Sequence, residues 1–214
     1  SSNVKVDAED FVTNTRKELK LIVPIEAVSG PVTCNDGSES SESIVISEYL
    51  TVDIALATGI SNPTPEFNEQ VTIYGENLDL IEKVAFPAAG EVEFTPTTDG
   101  GKTLVVTVPE TCVSGEIVLT SYSGMATSVE FAVPLATYTS ITPDKDLKVG
   151  DEVTIAGALL NRIVQIDLPG DITLAKGEFT QSESAIKFTV PEEMGDGPVT
   201  MVQHKNYSVV TTKL

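Results

Sequence analysis

Three stretches of the chain share one pattern: LKLIVPIEAVSGPV at residues 19–32, LVVTVPETCVSGEI at residues 104–117 and IKFTVPEEMGDGPV at residues 186–199. Each begins with alternating apolar residues, reaches a Val-Pro pair, and has a glycine six residues after the proline. Proline cannot donate a hydrogen bond to a sheet ladder and so ends a strand, while glycine supports the turn into the next one. The pattern predicts two β-strands joined by a turn, repeated three times.

A second shared segment stands upstream of the last two stretches. It reads VTIYG at residues 71–75 and VTIAG at residues 153–157, and in both copies the Val-Pro pair follows at the same distance. A register kept over this length without insertion indicates one structural unit of about 80 residues that occurs twice. The stretch at residues 19–32 shows only the later half of the unit, because too few residues precede it to supply the opening strands.

The repeats predict three parts of the chain. Residues 1–53, the first unit, form a partial or incomplete module with the later strands only, whereas residues 54–135 (the second unit) and 136–214 (the third unit) each form a whole module. The connecting stretches at 53–59 and 134–140 are too short to act as free linkers. We therefore expect neighbouring units to sit end to end with restricted bending.

The distribution of residue types predicts an all-β protein. Short alternating stretches of β-branched residues, bounded by Gly, Pro, Asn and Asp, recur along the chain, and helical periodicity is almost absent. No apolar run approaches the roughly 20 residues that a membrane-spanning helix needs. The sequence opens with neither a methionine nor a leader, so we expect that any export signal has been removed.

The charge excludes one class of partner. Lys and Arg number 13 against 32 Asp and Glu, which gives a formal net charge of -19. Nucleic-acid binding depends on clustered basic residues that displace counterions from phosphates. We therefore expect neither nucleic acid nor an anionic membrane surface as a partner.

Apolar strand residues, prolines, glycines and one Asn-Leu pair recur at set places in the whole units. In the second unit they are Ile60, Pro63, Val71-Thr72-Ile73, Gly75, Asn77-Leu78, Val84, Phe86, Val108-Pro109, Gly115 and Phe131. In the third unit they are Ile141, Pro143, Gly150, Val153-Thr154-Ile155, Gly157, Leu159, Val164, Val190-Pro191 and Gly197. This combination resembles an IPT/TIG domain, an immunoglobulin-like fold with early-set topology. The third unit departs from it, because Ala158-Leu159 stands where the second unit has Glu76-Asn77-Leu78.

The resemblance implies tandem immunoglobulin-like β-sandwiches in an end-to-end array. Such domains occur in plexin-like receptors, in transcription factors, in starch-acting enzymes and in surface lipoproteins of gut Bacteroidetes. Acidity argues against transcription factors, and the presence of a single Asn-x-Ser match, Asn206-Tyr207-Ser208, argues against a eukaryotic receptor. An acidic array rich in Thr and Ser is similar to the surface glycan-binding proteins, at the SusE/SusF position, that accompany carbohydrate importers.

That similarity implies a lipid-anchored protein on the extracellular face of the bacterial outer membrane. It would bind polysaccharide or oligosaccharide, or help to present it to an outer-membrane importer complex of the SusC/SusD kind. Two alternatives stay open. The units are non-binding spacers that position a separate C-terminal binding domain, or they are accessory domains of a glycoside hydrolase.

Few residues of the chain are suited to catalysis. Its single histidine, His204, has no cysteine near it in sequence, and no Gly-x-Ser-x-Gly elbow is present. Cys34 and Cys112 fall at non-equivalent places in their repeats, so we expect two unpaired, packed thiols rather than a transition-metal site. The acidic stretches at residues 35–42 and 144–152 lack the spacing of an EF-hand and are typical of solvated turns. The sequence predicts a non-enzymatic protein without a metal or cofactor.

Two hairpin tips are the candidate ligand site. Ser121-Tyr122-Ser123-Gly124 and Gln203-His204-Lys205-Asn206-Tyr207 occupy nearly the same place between the last two strands of their units, where a rigid sandwich carries binding groups. Sugars stack on exposed rings and need polar neighbours, which makes Tyr122, His204, Asn206 and Tyr207 the candidate contacts. A tyrosine beside a turn is also often a half-buried cap on the sheet end. Tryptophan is absent, and five phenylalanines are expected in the core: Phe86, Phe94, Phe131, Phe179 and Phe188.

Overall fold

The structure is a computed structural model that describes residues 4–36, 38, 42–96, 98–204 and 207–213. Its regular structure is almost entirely β-strand. The helical segments in these ranges are single 3-10 turns at Ala8–Asp10, Leu78–Leu80 and Leu160–Arg162. None of the helices in the described ranges has the length and apolar character needed to span a membrane.

The first unit contains two small antiparallel sheets. Strand β1 (Thr13–Asn14) pairs with β2 (Leu19–Lys20), and β3 (Gly30–Cys34) pairs with β4 (Ile44–Leu50). None of the described residues of this unit is fully buried. The first unit therefore has strands without a closed core.

The second unit is a sandwich of two four-stranded antiparallel sheets. Its strands are β5 (Leu56–Ile60), β6 (Gln70–Glu76), β7 (Ile81–Phe86), β8 (Gly90–Val92), β9 (Phe94–Pro96), β10 (Thr103–Thr107), β11 (Gly115–Ser121) and β12 (Ala126–Phe131). One sheet has the order β5-β6-β10-β9 and the other has the order β12-β11-β7-β8.

The third unit repeats this arrangement. Its strands are β13 (Thr137–Thr142), β14 (Glu152–Ala158), β15 (Gln165–Leu168), β16 (Ile172–Ala175), β17 (Thr180–Gln181), β18 (Ala185–Thr189), β19 (Pro198–His204) and β20 (Tyr207–Lys213). The sheets have the orders β13-β14-β18-β17 and β16-β15-β19-β20, which match those of the second unit strand for strand. The prediction of an all-β chain built from tandem immunoglobulin-like sandwiches is confirmed.

The repeated sequence pattern places the same side chains between the sheets of each whole unit. The alternating residues on the inner faces are at most 3% exposed: Val71, Ile73, Leu104, Val106, Ile117 and Leu119 in the second unit, and Val153, Ile155, Ile186, Phe188, Val199 and Met201 in the third. Burial of such a side chain contributes about 1.5–3 kcal/mol. The buried cluster of the second unit extends from Ala55 to Val133, and that of the third begins at Ala136. We propose on this basis that residues 54–135 and 136–214 fold as separate units.

The phenylalanines fill the cores as predicted. Phe86, Phe131, Phe179 and Phe188 are buried, and Phe94 packs against the second core while it is partly exposed. The rings of Phe86 and Phe131 meet edge to face with their centroids 5.3 Å apart, a favoured geometry for aromatic pairs. The four buried rings are therefore not available as sugar platforms.

The shared Gly75 and Gly157 allow a close approach of two strands. A Cβ built on Gly75 would overlap the carbonyl oxygen of Leu56, and one built on Gly157 would overlap that of Thr137. In both units the pairing of the first two strands also shifts register beside this glycine. The glycine of the repeated VTI-x-Gly segment is thus required by contact with the first strand and not by a positive φ.

The chain passes from one sheet to the other through a left-handed residue in both whole units. Asn77 has φ 53° and Leu159 has φ 55°, and the residues that follow, Leu78 and Leu160, are buried at 3% and 0% exposure. Leu160 is therefore the counterpart of Leu78, and Leu159 stands at the asparagine position, which corrects the alignment made from the sequence. Asparagine tolerates this backbone better than leucine. Leu159 adopts this left-handed backbone, and its side chain packs against the core of the third unit.

The close approach at the repeated glycines predicts the effect of a single methyl group. We expect Gly75→Ala and Gly157→Ala each to lower the free energy of unfolding by about 1–3 kcal/mol, because the strands must move apart. Gly59→Ala is the matched control, since nothing lies within 4 Å of a Cβ at that position. Equal unfolding midpoints in urea for all three variants would contradict the proposed contact.

The buried cysteine predicts a pH dependence. Cys112 is 0% exposed, and burial raises the pKa of its thiol from the ordinary value of 9.0 to about 11. Because the pKa is higher in the folded state, the stability that this group contributes is complete below pH 9.0 and is lost as the pH rises to about 11. The free energy of unfolding, measured in urea between pH 9.0 and about 11, should therefore fall less steeply for Cys112→Ala than for the parent chain. Parallel curves would show that the thiol does not contribute.

Candidate functional site

The hairpin tip of the second unit is a fixed turn that presents two exposed side chains. The hydroxyl of Ser121 is buried and donates to the carbonyl of Met125 at 3.0 Å, and the N–H of Gly124 donates to the carbonyl of Ser121 at 2.8 Å. Gly124 has φ 77°, a conformation that favours glycine. The side chains of Tyr122 and Met125 are 43% and 47% exposed. This tip offers an aromatic ring and a thioether to solvent, and contact of Tyr122 with a ligand stays a prediction.

The tip of the third unit lies against the second unit instead. His204 and Tyr207 are paired at the end of β19 and β20, while Lys205 and Asn206 lie outside the described residues, as does the side chain of His204. The ring of Tyr207 packs against the core of the second unit, and its hydroxyl oxygen accepts a hydrogen bond from the N–H of Ser114 at 2.7 Å. Tyr207 is thus half-buried at the junction between the units.

The connecting segment is held by one buried glutamine. Gln203, 1% exposed, donates from Nε2 to the carbonyl of Pro134 at 2.9 Å and accepts at Oε1 from the N–H of Ala136 at 2.8 Å. Both polar groups of this side chain are therefore satisfied by the backbone of the connection. A buried amide that lost these partners would carry a desolvation cost of about 1–3 kcal/mol. Gln203 fixes the path of the chain from the second unit into the third.

Arg162 ties three elements together at the same place. Its Nη1 donates to the carbonyl of Pro134 at 3.1 Å, and its Nη2 forms an ion pair with the carboxylate of Glu66 in the second unit. The guanidinium side chain is 17% exposed and that of Glu66 is 57% exposed, so solvent screens the pair and its contribution is about 0–1 kcal/mol. The position of the arginine matters more for orientation than for stability.

A cleft of about 240 Å³ opens beside these contacts. Two of the polar side chains that line it, Arg162 and Gln203, hold the units together, and Asn68 donates to the carboxylate of Glu110 at 2.8 Å. Three of the eight lining residues, Glu66, Arg162 and Gln203, therefore take part in the junction. Its lining residues are Glu66, Phe67, Asn68, Asn161, Arg162, Val164, Lys176 and Gln203.

Three carboxylates of the acidic stretches at residues 35–42 and 144–152 bond within the protein. Asp36 accepts from the N–H and hydroxyl of Ser38 at 2.9 and 2.7 Å, although part of that loop lies outside the described residues. Asp151 accepts from the N–H of Lys148 at 2.8 Å, and Glu152 forms an ion pair with Lys187. In the described part of the chain, no group of three or more His, Cys, Asp or Glu is arranged to hold a metal ion.

The sequence does not reveal the two residues that matter most at the junction. Its pattern places Gln203 in a hairpin tip and does not single out Arg162. The only available signal is that Gln203 occupies the place of Ser121, so that a long amide replaces a short hydroxyl at a buried strand end. Which groups such an amide reaches depends on how the neighbouring unit is oriented.

No family model matches the chain, and no curated protein matches it. Solved structures with partial similarity include a surface glycan-binding protein, SGBP-B, from a complex xyloglucan utilization locus in Bacteroides uniformis (18% identity, TM-score 0.34, 75% of this chain and 49% of that chain). Another is the surface glycan-binding protein PbSGBP-B from Prevotella bryantii (19% identity, TM-score 0.35, 86% and 40%). A third is the I9-I11 tandem of titin (13% identity, TM-score 0.39, 99% and 84%). The chain spans less than half of the two glycan-binding proteins, and these values are too low to assign it to a family.

The junction predicts the effect of removing one hydroxyl. Tyr207→Phe leaves the ring in place but deprives the N–H of Ser114 of its acceptor. The contact between the units should lose about 1 kcal/mol of stability, so that the units sample a wider range of angles. Small-angle scattering should then show a broader range of particle lengths than for the parent chain. Tyr122→Phe is the matched control at the exposed tip. Unchanged scattering in both variants would mean that the hydroxyl does not hold the units together.

Proposed function

We propose that the second and third units form a stiff arm of a surface protein that captures polysaccharide. In this role the arm holds a glycan site at a set distance and orientation and helps to present the glycan to an outer-membrane importer. The observation that carries the proposal is the junction, where Tyr207 bonds to Ser114, Arg162 to Glu66 and Gln203 to Pro134. A pair of domains used as an arm must resist bending, and these contacts provide that resistance.

The carbohydrate context of the proposal comes from the sequence. The repeated motif resembles IPT/TIG domains, which occur in arrays in surface lipoproteins of gut Bacteroidetes, and the net charge of -19 disfavours nucleic acid. We include in the proposal the finer features of that class, namely a lipid anchor, placement on the extracellular face of the outer membrane and an importer of the SusC/SusD kind. The protein acts by binding or positioning and not by catalysis.

A second candidate function, direct glycan binding, is favoured by the tip of the second unit. Tyr122 is 43% exposed on a turn fixed by Ser121 and Gly124, and the neighbouring Met125 extends the apolar surface. A ring held in this way can stack on the apolar face of a sugar. Contact by His204, Asn206 and Tyr207 remains a prediction, and in the structure the hydroxyl of Tyr207 bonds to Ser114.

Cell-surface capture tests the arm. Deleting residues 54–214 from the surface-anchored protein should reduce retention of labelled polysaccharide, and replacing them with a flexible Gly-Ser segment of equal length should not restore it, because the segment does not hold an orientation. The chain alone should show no retardation in affinity electrophoresis against a panel of soluble glucans. Full recovery of polysaccharide retention with the flexible segment would contradict the proposal that residues 54–214 act as a stiff arm.

The two candidate functions are separated by one variant. If the chain alone binds a glucan and Tyr122→Ala abolishes that binding, the tip is a binding site and the second function replaces the first. Tyr138→Ala is not a suitable control, because that residue packs against the third core. Tyr74→Ala is suitable, because Tyr74 is 45% exposed on β6, which belongs to the other sheet of the unit, and should leave any binding unchanged.

A further inference from the structure

The first unit reproduces the closing half of the complete sandwich in detail. In the hairpin of β1 and β2 the N–H of Thr15 donates to the carbonyl of Glu18 at 2.9 Å, and in the hairpin of β17 and β18 the N–H of Ser182 donates to that of Ala185 at 2.8 Å. The hydroxyl of Thr15 also accepts a hydrogen bond from the N–H of Glu18 at 3.0 Å. The hydroxyl of Ser182 likewise accepts one from the N–H of Ala185 at 3.1 Å. The two hairpins have the same length and the same bonds.

The later hairpin is also equivalent. The hydroxyl of Ser114 accepts from the N–H of Val133 at 2.9 Å, where the chain leaves β12. At the same place of the first unit, the hydroxyl of Ser29 accepts from the N–H of Val52 at 2.9 Å. The described residues of the first unit thus form the second pair of strands of each sheet and not the first pair.

Two strand edges of the first unit are therefore open. In the second unit β10 pairs with β6 as well as β9, and β11 pairs with β7 as well as β12. Among the described residues, the equivalent strands β2 and β3 pair only with β1 and β4. Open strand edges present unpaired backbone groups that can add a further strand.

The inner face of the half-sandwich is open as well. Leu104, Val108 and Ile117 of the second unit are 0–1% exposed. Leu19 and Val23, at the places of Leu104 and Val108, are 40% and 44% exposed. Val32, at the place of Ile117, is half-buried. On the neighbouring strand β4, Ile44 pairs with Cys34 and is 68% exposed, and Leu50 pairs with Gly30 and is 37% exposed.

We propose that strands β1–β4 form a docking surface for the opening half of the same fold, a four-stranded segment of the kind that β5–β8 and β13–β16 supply to the whole units. Such a segment would pair with the edges of β2 and β3 and cover the apolar face in one step. We commit to a polypeptide segment with the strand order of the opening half, since that is what pairs with the closing half in both complete units. The inference is independent of the proposed function in carbohydrate capture.

A second copy of the chain fits this surface poorly. Each opening half in the described chain is already paired with its own closing half. A second copy could therefore supply an opening half only if one of its own closed sandwiches came apart. Each copy also carries a net charge of -19, which disfavours close face-to-face association at low ionic strength. The backbone geometry of the open edges selects a strand partner over a helix.

A graft tests the proposal with the protein's own strands. Residues 136–179 are placed ahead of Thr13, so that Thr13 follows them as Thr180 does in the third unit, where Thr180 pairs with Lys187 as Thr13 pairs with Lys20. The control graft carries Val153→Asp and Ile155→Asp in the added segment only. Cys34 lies on the inner face of β3, and its reaction with a thiol reagent reports whether the face is covered, while buried Cys112 is the internal reference.

We expect Cys34 to react at least about tenfold more slowly in the graft than in the parent chain or the control graft, because it must wait for the unit to open. A graft that keeps Cys34 as reactive as in the control would overturn the proposal. So would a parent chain that is dimeric by light scattering with Cys34 already protected, because a second copy would then cover the face.

A second experiment uses single substitutions in the chain without a graft. Val32→Asp should leave the thermal unfolding of the parent chain unchanged if the face is open, whereas Ile117→Asp, at the equivalent place in the second unit, should unfold that unit. Equal destabilisation by the two variants would show that the face is covered in the chain as it stands and would overturn the proposal. In the graft, Val32→Asp should restore the fast reaction of Cys34.

Discussion

The structure depends on the burial of one alternating row of apolar side chains between two sheets. In each whole unit the strand before Val-Pro belongs to one sheet and the strand after the glycine belongs to the other, so the repeated stretch supplies both walls of the core. Neither wall is stable alone, because an isolated hairpin buries too little apolar surface to offset its lost conformational entropy. Among the described residues of the first unit only β1-β2 and β3-β4 pair, so these strands form with native bonds while Leu19 and Val23 remain 40% and 44% exposed.

The same constraint explains how the units are joined. A closed sandwich has loops only at its ends, and the third unit uses one end to hold the second through Tyr207, Gln203 and Arg162. The corresponding end of the second unit instead presents Tyr122 and Met125 to solvent. Two copies of one fold therefore carry different tips on equivalent strands, and this difference determines which tip is free to meet a ligand and which one sets the angle between units.

Much of the fold could be predicted because the repeat makes each copy a check on the other. The spacing from VTI-x-Gly to Val-Pro identified the repeated unit, and the strand-like surroundings of the phenylalanines predicted their place in the core. The sequence could not show that Leu159 adopts the backbone of Asn77, since a left-handed residue leaves no pattern when asparagine or glycine is absent. It also could not show what Tyr207 touches, because a contact between units depends on their orientation and not on the register within either one.

Amide hydrogen exchange along the whole chain tests the central claim, that two closed sandwiches follow one open half. The account predicts slow exchange in β6, β10 and β11 and in β14, β18 and β19, with fast exchange in β2, β3 and β4, because only the first two groups lie in closed cores. Slow exchange in Gly30–Cys34 comparable to that in Gly115–Ser121 would contradict it, since the first unit would then have a closed core of its own.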